Sequence, residues 1–285
     1  MARARRAMAR HPIVWFLAIG NGVVLAASLA TLWADPRITQ FDLPVFGMVG
    51  GFLGVGLAAF VVTAAADGRA GVDDLVRRCL RWRVPVRWYL VALFGVPVAT
   101  TLFAVAIYGT EGFASPSVLL SVLTLFALQL ILFQAAEEIG WTGFFQDRLR
   151  DRYSQLKLSA VVAFPWAVWH VPDFLAEEGW TLTALAVAPV FLAFETIVLF
   201  FARVLIVWIY DGTGRSVLLV CVFHASFDAT ITKLSREIIP ASDTVRFLIL
   251  NGVIVGAGTV IAVLMFRAGP RRGGPARSSD HLLRD

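Results

Sequence analysis

Apolar runs bounded by charged or turn-forming residues recur along the whole chain, at about 13–33, 43–66, 88–108, 117–145, 158–176, 183–209, 216–232 and 245–266. Most are near or above the roughly 20 residues that a helix needs to cross the hydrocarbon core of a bilayer. Eight spanning helices are therefore predicted, making an all-α, polytopic membrane bundle. Residues 13–266 form its single helical domain, flanked by a basic segment at 1–12 and a tail at 267–285 expected to be disordered from its Gly, Pro and charge content. The first run, preceded by MARARRAMARHP, has a weak signal-peptidase cue at Ser28-Leu29-Ala30. Its length favours a retained first helix.

Between the second and third runs lies GVDDLVRRCLRWRVPVRW, which is too charged to cross. It is either a plain connector or an interfacial helix whose apolar face carries Val72, Leu75, Cys79, Leu80 and Trp82. Trp33, Trp88, Trp180 and Trp208 lie near span ends and are expected as interfacial anchors.

Composition supports a bilayer as the solvent. The 285 residues are 58% hydrophobic and 16% charged, and mean hydropathy is +0.75, well beyond the mix of a soluble domain. The net charge of +5 comes from scattered residues that form no continuous stripe, so nucleic acid is not an expected partner. The lipid bilayer is. Two cysteines, Cys79 and Cys221, suggest neither a disulfide framework nor a cysteine metal site. Counted by alternating sides, 20 of the 25 Lys and Arg fall on one face, four on the other, and only Arg203 lies within a span. Positively charged loops tend to stay inside, so both termini are expected on the cytoplasmic side of the plasma membrane. Arg203 is expected to snorkel toward that face.

An ionisable group at mid-membrane is costly unless paired or facing a wet cavity, and so marks a functional candidate. Five stand out. The fourth run contains LFQAAEEIGWTGFFQ, in which Glu137 and Glu138 lie about 13 Å from the cytoplasmic helix end at 1.5 Å per residue. Adjacent residues point about 100° apart on a helix. The two carboxyls therefore take different roles, one facing a cavity as a base and the other orienting its neighbours. The fifth run supplies Trp166 and His170 on a shared face between Pro165 and Pro172; the seventh supplies His224 and Asp228 at i and i+4. Together these residues offer a general base, a possible metal shell in His170, His224 and Asp228, and stabilisation of a tetrahedral oxyanion. Glu195 is the other intramembrane acid, either lining the cavity or held as a hydrogen-bonded carboxyl.

The order and spacing of EEIGWT at 137–142, WAVWH at 166–170 and HASFD at 224–228 resemble the CPBP family of CAAX proteases and bacteriocin-processing enzymes, also called Abi. The resemblance covers about 73–229. The family pattern is EExxxR, FxxxH and HxxxN or HxxxD. It implies an intramembrane endopeptidase acting on a membrane-associated protein or peptide, of CAAX or leader type. Glu137 and His170 would activate water, Glu138 would support the site, and His224 and Asp228 would stabilise the oxyanion.

The same residues suit either a divalent metal such as zinc or a metal-free glutamate-based hydrolase, so the cofactor stays open. Two positions depart from the pattern: Thr142 replaces the usual Arg, and Trp166 the usual Phe. Both, with Glu195, are candidates for contact with substrate. Without an Arg at 142, Glu138 is expected to lack its cationic partner unless Arg148 substitutes. Two other readings remain, a non-catalytic protein of the same fold serving as bacteriocin immunity factor or scaffold, and a proton- or ion-coupled transporter.

Overall fold

The computed structural model describes residues 2–30, 50–109 and 116–269. Among them lie α1 (Ala2–Arg10), α2 (Pro12–Ala30), α3 (50–79), α4 (Val86–Tyr108), α5 (116–149), α6 (Gln155–Glu177), α7 (Leu182–Gly212), α8 (Val217–Ile238) and α9 (Asp243–Ala268). The eight from α2 to α9 are long and apolar enough to cross a membrane, and the chain is a multi-pass, all-α membrane protein. Residues 31–33 and 43–49 of the first two predicted runs lie outside the described residues, as do Trp33, Arg37 and the tail from 270.

The second run does not end at 66. Helix α3 continues to Cys79, with a break at Gly68, where φ is +65°, a value glycine adopts without steric cost. Beyond the break Leu75 and Arg78 are buried while Leu80 and Trp82 are exposed, so the charged connector is helical and turns one side into the protein. Trp88, expected at the interface, is instead buried against Trp208 with ring centroids 4.7 Å apart.

Helix α5 positions the site. Its first half is leucine-rich and largely exposed on the outside of the bundle, whereas Gly140–Gln146 is buried throughout. The change coincides with widened, π-helical turns at Leu130–Gln134 and Ile139–Gln146, which flank the four α-helical residues Ala135–Glu138. Such turns change which side chains face inward and often occur at functional sites. Small residues let α3 approach this stretch, with Gly56 against Ala136 and Val55 against Gly140, a common mode of helix contact in membranes.

A Cβ at Gly140 would lie 2.1 Å from the Val55 side chain and 2.9 Å from its carbonyl oxygen. The backbone cannot yield as a side-chain tip can. Gly140→Ala is expected to lose about 1–3 kcal/mol by overpacking in denaturant unfolding from mixed micelles. Gly95→Ala, whose new Cβ would meet nothing within 4 Å, serves as the control and should lose no stability. On the other side of α5, Phe16 of α2 packs against Trp141, Phe144 and Phe145 at 4.8–5.9 Å.

An ion-pair cluster ties α3, α5 and α7 at the arginine-rich end. Asp147 accepts from the Tyr210 hydroxyl at 2.8 Å and from Arg215 at 2.6 and 2.9 Å. Arg78 donates to Asp74 at 2.9 Å, to the Gly143 carbonyl at 2.6 Å and to Tyr210 at 3.0 Å. Burial works against the Arg215 charge, but the hydrogen bonds and negative charge of Asp147 overcome it and hold that guanidinium above its ordinary pKa. The cluster anchors the lower end of α5, and with it the two glutamates one to two turns above.

Candidate functional site

Glu137 and Glu138 diverge as adjacent helical residues must. Glu138 turns inward and is completely buried. Arg203 of α7 forks onto it, with NH1 donating to Oε2 and NH2 to Oε1, each at 3.2 Å. The Thr142 hydroxyl donates to Oε2, and His224 Nδ1 lies 2.9 Å from Oε1. An ionised carboxylate only accepts, so the proton of this last bond resides on Nδ1. Four donors fill the roughly four acceptor positions that a carboxylate offers. Glu138 therefore has no oxygen left for water or a ligand.

Glu137 faces the other way, and its Oε2 is buried without a hydrogen-bond partner. It borders a cavity of about 200 Å³ lined also by Gln134, Trp166, His170, Glu195, His224 and Asp228. Four of the five residues singled out from the sequence thus meet at one cavity, while the fifth, Glu138, stands behind it in contact with His224. His170 is half-buried between Trp166 and Trp169, with ring centroids at 5.8 and 5.0 Å. His224 meets Trp166 edge to face at 5.4 Å. The helix α6 that carries His170 persists through Pro165 and Pro172. Asp228 lies one turn beyond His224, its Oδ2 4.0 Å from Nε2 and accepting from Gln134.

Arg203 does not snorkel. It is fully buried, paired with Glu138, and lies 3.8 Å over the Trp166 ring. Burying both charges removes their water, and the forked pairing and surrounding donors compensate. Glu138 consequently has a cationic partner despite Thr142. Arg148 does not supply it, since Arg148 pairs with Asp67. Of the three candidates for substrate contact, Trp166 and Glu195 line the cavity; Thr142 is fully buried, with its hydroxyl between Arg203 and Glu138.

Two further polar residues enter the site, Gln134 on Asp228 and Asn251 from α9. Gln134 carried a signal in its position, one turn before Glu137 in an otherwise apolar run. Asn251 carried none, because nothing in the sequence relates α9 to the motifs.

The cavity is also lined from helix ends away from the arginine-rich face. Phe247 and Leu250 lie in the first turns of α9 and Ile231 in the last turns of α8. These helix ends carry Lys233 and Arg236, on the opposite side.

His170, His224 and Asp228 were the candidates for a metal shell. Among the described residues no three His, Cys, Asp or Glu side chains are grouped closely enough to hold one ion. This arrangement does not fit a three-ligand metal centre.

The fold and the site define a multi-pass membrane protein in which Glu137, His170, His224 and Asp228 line one cavity and Glu138 stands behind it. Residues 117–230, which carry all five, match the model of the family described as type II CAAX prenyl endopeptidase Rce1-like. A curated relative, CAAX prenyl protease 2 of Methanococcus maripaludis, is 21% identical over 132 residues, or 46% of this chain and 47% of that protein. The alignment spans about half the length of this relative. Both matches are to CAAX proteases, which the core of this chain is therefore similar to.

Proposed function

We propose that this protein is an intramembrane endopeptidase that hydrolyses a peptide bond of a membrane-associated protein or peptide, of the CAAX or leader type. The observation that carries the reading is the division between the two glutamates. Glu138 is saturated by four donors, while Glu137 keeps a free oxygen at a cavity shared with two histidines. A carboxylate in that position can take a proton from a water molecule, and His170 across the cavity can orient the same water.

Attack on the carbonyl carbon places negative charge on its oxygen. His224, with Nδ1–H directed at ionised Glu138, presents Nε2 toward the cavity; in the imidazolium form Nε2–H donates to that oxyanion. Asp228 adds a second donor in its protonated form, held in place by Gln134. Proton transfer from Glu137 to the leaving nitrogen completes cleavage. Trp166 and Glu195, with Asn251, form the walls that contact substrate.

The excess of arginine at one set of helix ends supports placing both termini in the cytoplasm, with the protein in the plasma membrane. The test is cleavage by protein reconstituted in liposomes, followed by mass spectrometry, using a prenylated peptide with a C-terminal C-a-a-X sequence, its unprenylated form and a leader peptide. Cleavage of at least one supports the reading. Intact recovery of all three, by protein shown to be folded, counts against it, and ion-dependent flux without cleavage would favour a transporter.

A further inference from the structure

The two departures from the family motif, Thr142 for Arg and Trp166 for Phe, meet at a single guanidinium. Arg203 NH1 donates to Thr142 Oγ1 at 3.0 Å as well as to Glu138, and its Cζ lies 3.8 Å over the Trp166 ring. We propose that Arg203 is a positioning residue that supplies from α7 the cation which the motif places at position 142, with Thr142 and Trp166 as the neighbours adapted to receive it.

An arginine at 142 would stand one helical turn from Glu138 and could address the same carboxylate. With Arg203 already there, it would place two like charges side by side away from water, where their repulsion is poorly screened. A threonine leaves the space the second guanidinium reaches into. Its hydroxyl also fits both neighbours, accepting from Arg203 and donating to Glu138. Beneath the cation, tryptophan gives a larger and more attractive π-face than phenylalanine. Each departure taken alone loses something the motif provides. Taken together they describe one relocated charge.

The relocation acts on the site through a chain of contacts. Arg203 fixes both oxygens of Glu138, and Glu138 fixes Nδ1 of His224, so the guanidinium sets the direction in which His224 Nε2 faces. What that direction accomplishes rests on the hydrolase reading; the pairing itself does not.

The test is a cycle on the full-length protein: wild type, Arg203→Leu, Thr142→Arg and the double variant, each measured for unfolding midpoint in micelles and for peptide cleavage in liposomes. Each single variant is expected to lose midpoint and cleavage, the first by removing the cation and the second by crowding two together. The double variant, with one cation back at 142, is expected to recover most of both. A double variant no more stable than the worse single variant overturns the relocation. Recovery of stability without recovery of cleavage overturns the positioning role and leaves a structural ion pair.

Arg203→Lys keeps the charge but not the planar fork. It is expected to fold and to lower kcat by up to about 100-fold, the loss that misplacing a reacting group can bring, with KM little changed. An unchanged kcat would also overturn positioning. Should wild type itself cleave no peptide, the hydrolase reading fails, while the unfolding cycle still decides whether the charge has moved.

Discussion

Glu138→Ala is expected to destabilise this protein by about 3–5 kcal/mol, the range found when one partner of a buried ion pair is removed. The loss is large because of what is left behind. Arg203 is fully buried and has its guanidinium forked onto Glu138. Without that carboxylate a charge remains in the membrane interior, with the Thr142 hydroxyl and the Trp166 ring beside it but no carboxylate forked onto it. The Nδ1–H of His224 and the hydroxyl of Thr142 lose their acceptor in the same step, and each orphaned buried donor adds to the cost. Denaturant unfolding in mixed micelles measures the effect. A loss under about 1 kcal/mol would mean that Arg203 finds another partner and that Glu138 does not organise the core.

The neighbouring residue should behave in the opposite way. Glu137→Gln is expected to reduce cleavage about 10²–10⁴-fold, the contribution typical of a general base, with stability changed by less than about 0.5 kcal/mol. Glutamine has nearly the same shape and retains polar atoms but cannot take a proton from water. Oε2 of Glu137 has no hydrogen-bond partner to lose, and the side chain borders a cavity. Adjacent carboxyls on one turn of α5 would thus separate activity from stability. Cleavage rates and unfolding curves on the same preparations give both quantities. Retained cleavage in Glu137→Gln would remove the proposed base.

Much of the architecture was legible because the bilayer imposes one length on every span. Eight apolar runs became α2 to α9 among the described residues, and the main discrepancies arose where polar residues belong to a helix. Helix α3 runs on through Asp74 and Arg78 because their charges are matched within the protein by Arg215, Tyr210 and Asp147. A hydropathy pattern sees a charge and ends the span there. It cannot see the partner that makes the charge tolerable.

The same limit explains Arg203. Read alone, one arginine near the end of an apolar run looks like a snorkelling side chain. Helical rise held a contrary signal: Arg203 is nine residues from Gly212 and Glu138 eight from Gln146, so at 1.5 Å per residue both lie about 12–14 Å from the same end of the bundle. Equal depth on two helices with opposite charge is a reason to expect a pair. The motif also drew attention to Arg148, the nearest arginine in sequence, which pairs with Asp67 instead. Asn251 and the direction in which the cavity extends depend on how α9 packs against α7 and α8, which no local spacing encodes.

The helical angle between Glu137 and Glu138 suggested different assignments and the motif resemblance implied Glu137 as the base, while the physical reason that Glu137 faces the cavity lies in tertiary contacts. Gly140 and Gly143 admit α3 against one side of α5, and Arg203 reaches in from α7. These contacts leave Glu138 enclosed and Glu137 beside the space where a substrate would lie. Fold, charge pairing and proposed chemistry thus depend on the same two turns of α5.

The most direct measurement is mass spectrometry of the prenylated, unprenylated and leader peptides, taking the one that wild type cuts, recovered after binding to wild-type and Glu137→Gln protein in liposomes. The account predicts that both retain the peptide, that wild type releases it cut at one bond, and that Glu137→Gln releases it whole. Cut peptide from Glu137→Gln at the wild-type rate, or all three peptides recovered whole from both proteins, would contradict it.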